Sequence, residues 1–197
     1  AGVELLFNPS PEEMYYKDNC TFVDMNRLTD VLCGKTRPIH FSGVCSVVTK
    51  LFHIVTPDRA YFGQKDAQQL AVIRRMVRDL NFNLEVIGCP IIREDDGLAK
   101  SSRNTYLSKE ERKAAVILHK GLLRGEELVK AGEKSAATVK QAITEIIESE
   151  PLAKIDYVEI VNFDNIETIE TIDGSILAAV AVYIGKTRLI DNFIYES

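Results

Sequence analysis

The chain has 197 residues and a mass of 22.1 kDa, enough for one large domain or two small ones. Hydrophobic residues make up 46% and charged residues 27%, the balance of an ordinary globular chain. A net charge of −5, a pI near 5.3 and the lack of any dense Lys/Arg cluster argue against a nucleic-acid partner, though not against a single nucleotide.

The longest unbroken apolar run, Ile176 to Ile184, is too short to cross a bilayer and reads as a buried strand. No signal peptide is visible at the start, so the cytoplasm is the expected compartment. Cys20, Cys33, Cys45 and Cys89 show no C-x-x-C pairing, and Cys45 reads as a small core residue. His40, His53 and His119 lie far apart and lack metal-ligand spacing.

In chain order, Val3–Phe7 reads as a strand ended by Asn8-Pro9-Ser10-Pro11, and Thr21–Met25 as a second short strand. Cys33–Pro38 reads as a loop; it is similar to the tail of a P-loop but lacks the upstream glycine that motif needs. An amphipathic helix is predicted from about Ser42 to Ile54, with Val44, Val47, Val48, Leu51 and Ile54 on its apolar face and His53 off it. Thr56-Pro57-Asp58 stops it.

Ala60–Phe62 is then a short strand, punctuated by Gly63. From Asp66 the spacing of Leu70, Ile73, Val77 and Leu80 predicts a helix, with Arg74, Arg75 and Arg78 on its solvated side. Asp66 and Gln69 have the spacing of a capping box. Leu84–Gly88 is a further strand. This alternation of strands and helices implies parallel βαβ units.

A strand, a tight turn and a helix start therefore meet around Gly63-Gln64-Lys65-Asp66. In an open parallel sheet such a junction lies at the carboxyl end of a strand, where ligands bind. The amides and positive dipole of the helix start suit a phosphate, and Lys65 adds a full charge. The junction reads as a nucleotide-phosphate site.

Residues 93–104 are polar and irregular. Lys100-Ser101-Ser102-Arg103 concentrates two cations and two hydroxyls, which suit a polyphosphate. Beyond it, Ser108 with Glu111 caps a helix reaching about Val129, and a second helix runs from about Ser135 to Glu148. Strands at Ile155–Val161, Ile176–Ile184 and Arg188–Tyr195 follow, the last two joined by a hairpin turn at Gly185-Lys186-Thr187. Helices followed by an antiparallel sheet suggest a separate α+β domain. The expected division is 1–95, an incomplete Rossmann-like α/β domain, and 96–197, a smaller α+β domain carrying the Lys100–Arg103 loop.

Four segments carry a resemblance to a known family: Arg37–Val44, Tyr61–Gln69, Ser101–Asn104 and Ala181–Asn192. In order and spacing the first three resemble pantoate–β-alanine ligases, members of the nucleotidyltransferase superfamily, and the fourth resembles the family's C-terminal strand pair. The resemblance implies condensation of pantoate with β-alanine, with ATP converted to AMP and pyrophosphate in the presence of Mg²⁺. It implies that Gly63, Gln64, Lys65 and Asp66 bind ATP, Asp66 at the ribose, that Ile92 lies beside the adenine, and that Gln69 hydrogen-bonds pantoate. Lys100, Ser101, Ser102 and Arg103 resemble the family's version of the mobile K-M-S-K-S loop. Lys65, Ser101, Ser102 and Arg103 are the implied catalytic groups, supplying cations and fixed donors to a phosphoryl centre that needs no protein nucleophile.

The family's H-x-G-H motif does not occur in the sequence. The chain is accordingly expected to be the later part of such an enzyme, inactive by itself, poorly soluble, and dimeric only in the intact protein. A non-catalytic nucleotide-binding module is the alternative; an aminoacyl-tRNA synthetase-like protein is disfavoured by the acidic pI.

Overall fold

A computed structural model describes residues 2–37 and 39–196 and shows an α/β chain with two separate sheets. Ser10 and Glu13 form a capping box that starts the short helix α1 (Pro11–Met14). A single helical turn, α2 (Cys33–Thr36), leads to the long helix α3 (His40–Val55). Next come β1 (Arg59–Gly63), a 3₁₀ turn at Gln64–Asp66, α4 (Ala67–Asp79) and β2 (Glu85–Cys89). β1 and β2 pair in parallel, Tyr61 opposite Ile87, with α4 as the crossover of a βαβ unit.

A 3₁₀ segment at Ser102–Tyr106 follows the linker, then α5 (Lys109–Ala114), α6 (Ile117–Lys130) and α7 (Ala136–Glu148). β3 (Ala153–Asn162), β4 (Ile176–Ile184) and β5 (Thr187–Tyr195) form an antiparallel sheet with β4 in the centre. The β4–β5 hairpin closes with Ile184 opposite Thr187, and Gly185 takes φ +57°, a left-handed conformation that glycine adopts without a Cβ penalty.

The continuous apolar run of β4 is explained by burial on both faces. Ile176, Ala178, Val180, Val182 and Ile184 pack with Leu118 and Leu122 of α6 and Ile143 and Ile147 of α7. On the other face Leu177 and Ala179 join Phe41, Cys45 and Phe52 of α3 and Ile73 and Met76 of α4. Alternation along one strand thus ties the antiparallel sheet into two cores.

Several predicted elements differ. Val3–Phe7 is not a strand: its backbone finds no ladder partner, and Leu5 and Leu6 are more than three-quarters exposed. Thr21–Met25 is not a strand either, because its backbone is held by a side chain, Val23 N–H donating to Ser46 Oγ at 2.9 Å. Of the predicted 33–38 loop, residues 33–36 are helical, and Pro38 lies outside the described residues.

The buried stripe of α3 is Phe41, Cys45, Val48 and Phe52 rather than the run through Val44 and Ile54. Larger rings decide the rotation: Phe52 makes edge contacts with Phe62 and Phe82, leaving Ile54 at the surface. The predicted helix of 108–129 is divided into α5 and α6, where Leu118 N–H bonds the Ala115 carbonyl three residues back in a tighter turn. Asp66 makes no side-chain cap, because the 3₁₀ turn Gln64–Asp66 already leads the chain into α4.

Candidate active site

A cleft of about 350 Å³ opens where the 64–69 turn, the start of α3, the linker and β5 approach one another. Lys65, Asp66 and Gln69 line it from the turn, Ser101 and Arg103 from the linker. Arg37, His40 and Phe41 enter from the α2–α3 side, and Arg188, Asp191 and Asn192 from β5. Gly63, Gln64, Lys100, Ser102 and Ile92 are not among the lining residues; Ile92 is 70% exposed and Lys100 stands 3.6 Å from Glu94 on the surface.

Gly63 has an ordinary φ of −68°, and a Cβ there would meet nothing within 4 Å. Neither backbone conformation nor internal packing calls for glycine at this position. The Ser101 hydroxyl accepts from Arg103 N–H at 3.2 Å and so starts the 3₁₀ segment that carries Arg103.

The neighbouring glutamines divide their tasks. Gln68 is buried; its Nε2 donates to the Leu28 and Val31 carbonyls at 2.8 and 2.7 Å, and its Oε1 accepts from Cys33 N–H at 3.0 Å. It fastens the 28–33 segment to α4. Gln69 points to the cleft instead.

β5 holds the walls together. Asn192 Nδ2 donates to the carbonyls of Gln64 at 3.0 Å and Lys65 at 2.9 Å. Asp191 takes a bidentate pair from Arg93, at 2.7 and 3.0 Å, and Arg93 also donates to the Gly97 carbonyl. On the far wall Arg188 bonds Asp156 at 2.8 Å and lies over the Tyr157 ring, whose hydroxyl stands 3.4 Å from Cys33 Sγ. Burial, followed by the proximity of Cys33, pushes the Tyr157 hydroxyl far above its usual range, so it stays protonated.

The cleft is cationic. Arg37, Lys65, Arg103 and Arg188 face Asp66 and Asp191, and Arg93 already neutralises Asp191. Burial and the adjacent Arg37 lower the pKa of His40 against the opposing pull of Asp66, leaving the imidazole neutral at pH 7. Such a site attracts a polyanion.

No group of three His, Cys, Asp or Glu side chains converges among the described residues. Asp66 is the cleft carboxylate without an ion pair among those residues. A cleft with so few carboxylates fits Mg²⁺ only as an ion that takes few protein ligands and completes its shell with phosphates and water.

Residues 1–194 match the family model of pantoate-beta-alanine ligase. The chain belongs to that family. It is 64% identical over 197 residues to a pantothenate synthetase of Clostridioides difficile, covering all of this chain and 70% of that protein. The crystal structure of pantothenate synthetase from Thermus thermophilus superposes with a TM-score of 0.92 at 45% identity, over 98% of this chain and 70% of that one. A Francisella tularensis pantoate-beta-alanine ligase, solved with β,γ-ATP and β-alanine, superposes with a TM-score of 0.72 at 33% identity, over 98% of this chain and 65% of that one.

Within this pantoate–β-alanine ligase chain, sequence reasoning missed Arg37, Arg188, Asp191 and Asn192 as cleft residues. A usable signal existed: Asp191-Asn192 stands between Leu189-Ile190 and Phe193-Ile194 in the strand, and both side chains are buried. Adjacent buried polar residues in a strand need partners on both faces of the sheet.

Proposed function

We propose that the cleft binds MgATP and pantoate for ATP-dependent amide formation with β-alanine through a pantoyl adenylate, releasing AMP and pyrophosphate. The observation that carries this reading is the convergence of Lys65, Ser101 and Arg103, from two segments far apart in sequence, on one cationic cleft with Arg37 and Arg188.

The chemistry follows from those groups. Pantoate's carboxylate attacks the α-phosphorus in line, and charge builds on the equatorial and leaving oxygens. Lys65 and Arg103 offset that charge, and backbone amides at the helix start add fixed donors. Asp66 faces the ribose, and the space beside Gly63 lets the nucleotide approach the backbone closely. Gln69 hydrogen-bonds pantoate, and Ile92 borders the adenine. Lys100 and Ser102 reach the phosphates when the linker moves. The neutral amine of β-alanine then attacks the acyl carbon and AMP leaves. Mg²⁺, held chiefly through phosphate oxygens, would supply further charge neutralisation.

The boundary between residues 95 and 96 is read as the division between the nucleotide domain and the lid. Homodimeric assembly in the intact enzyme and a cytoplasmic location belong to the same proposal. No helix among the described residues is long and apolar enough to cross a membrane. Because H-x-G-H does not occur in these 197 residues, the reading expects binding with little turnover from this chain alone.

Pantoate-dependent ATP–pyrophosphate exchange tests the assignment, run on this chain and on the Clostridioides difficile relative. Substituting Lys65, or the lysine aligned with it, by alanine should lower exchange by about 10²–10³-fold in whichever protein supports it. Unchanged exchange would make Lys65 an ordinary surface lysine.

A further inference from the structure

We propose that Asp191 and Asn192 are positioning residues that set the 63–66 turn and the 93–103 linker in a fixed relation across the cleft. The proposal rests on the reading of these two segments as the ATP-binding walls.

Successive side chains of a strand project to opposite faces. Asp191 pairs in register with Val180, which belongs to the core formed with α6 and α7, and Asn192 with Ala179, which belongs to the core formed with α3 and α4. Two adjacent residues therefore reach in opposite directions, and each finds one wall of the cleft.

Asn192 takes the turn. Its Nδ2 donates to the Gln64 carbonyl at 3.0 Å and the Lys65 carbonyl at 2.9 Å. In a planar trans peptide the N–H points opposite to the C=O. Fixing these two carbonyls fixes the planes that carry the amides of Lys65 and Asp66, and with them the departure of the Lys65 side chain. Gly63 is held at the end of β1 opposite Cys89, but beyond it no side-chain cap from Asp66 fixes the turn.

Asp191 takes the linker. Its two oxygens receive both terminal nitrogens of Arg93, and Oδ1 also accepts its neighbour's backbone N–H at 2.8 Å. Arg93 opens a small hairpin: Glu94 N–H bonds the Leu98 carbonyl at 2.8 Å, and Lys100 N–H bonds the Ile92 carbonyl at 2.9 Å. The hairpin ends where Ser101 and Arg103 turn toward the cleft. The planar fork of Arg93 thus sets the angle at which the phosphate-binding linker leaves the body.

An asparagine placed only for packing would act on the folded fraction alone, whereas one acting through the turn would be coupled to Lys65. MgATP affinity of the 197-residue chain is measured by calorimetry for wild type, Lys65→Ala, Asn192→Asp and the double variant, with thermal melts alongside. Asn192→Asp keeps the shape but sets carboxylate oxygens against two carbonyls. It should weaken MgATP at least tenfold, and the double variant should bind no more than about twofold worse than Lys65→Ala. Additive losses, or a lowered melting temperature with unchanged affinity, would overturn the proposal. If Asn192→Asp does not fold, Asn192→Ser replaces it in the same cycle, with the same outcomes. Failure of wild type to bind MgATP, or full binding by Lys65→Ala, would instead remove the ATP-site reading on which the proposal stands.

Discussion

Arg93 and Asp191, 98 residues apart in sequence, meet in a bidentate ion pair with Nη1–Oδ2 at 2.7 Å and Nη2–Oδ1 at 3.0 Å. The aspartate side chain is only 2% exposed and the arginine 24%. A carboxylate so buried must keep its partner. Asp191→Ala leaves Arg93 partly desolvated, and removing one member of such a pair costs about 3–5 kcal/mol. Urea unfolding should show that loss, and Arg93→Ala/Asp191→Ala should recover part of it. Equal stability of wild type and Asp191→Ala would mean that the pair contributes nothing to the fold.

Gly63 separates a ligand requirement from a structural one. Its φ is negative and a methyl group would meet open space, so Gly63→Ala should leave stability within about 0.5 kcal/mol. If a nucleotide packs against this backbone, the same methyl should weaken MgATP binding by an order of magnitude or more. Calorimetry alongside thermal melts distinguishes the two, and unchanged MgATP affinity would contradict close approach of a ligand at Gly63.

Gln68 and Gln69 should respond in opposite ways to the same change. Gln68→Glu sets a carboxylate against the Leu28 and Val31 carbonyls, and an unmade buried bond costs about 1–3 kcal/mol, more for a charged group. Gln69→Glu should leave the melting temperature nearly unchanged and, by repelling a carboxylate ligand, raise the Kd for pantoate measured in the presence of MgATP. A stable Gln68→Glu, or unaltered pantoate binding in Gln69→Glu, would contradict this division.

The thiols should differ sharply in reactivity. Burial, then the nearby Asp24, raises the Cys45 pKa to about 11, so at pH 8 it remains a protonated, enclosed thiol. Cys20 is exposed. A disulfide reagent at pH 8 should label Cys20 in the native protein and reach Cys45 only on unfolding. Labelling of Cys45 at the rate of Cys20 would show that the α3 core opens readily.

Much of the fold was legible because local signals agreed with tertiary packing. Ser108 with Glu111 capped its helix as predicted, and Ile176–Ile184 became the central strand. Val3–Phe7 failed because a strand is defined by its partner, and no residue pattern inside the segment reports whether one exists. The stripe of α3 was misjudged by one step of rotation, since Phe41 and Phe52 outweigh valines only once Phe62 and Phe82 stand opposite. In the cleft, Lys65 and Arg103 could be found from their local motifs. The polar break at Asp191-Asn192 was readable too, but the partners of Asn192 were not, because they are backbone carbonyls more than a hundred residues earlier, and carbonyls carry no sequence signature.

The central claim is that the 63–69 turn and the 101–103 linker form one ATP site. Calorimetric titration of the 197-residue chain with MgATP tests it most directly, using wild type, Lys65→Ala, Arg103→Ala and the surface control Arg124→Ala, whose partner is Glu127. The account predicts saturable one-to-one binding, weakened at least tenfold by each of the first two substitutions and unchanged by the third. Absence of saturable binding to wild type, or equal affinity across all four proteins, would contradict it.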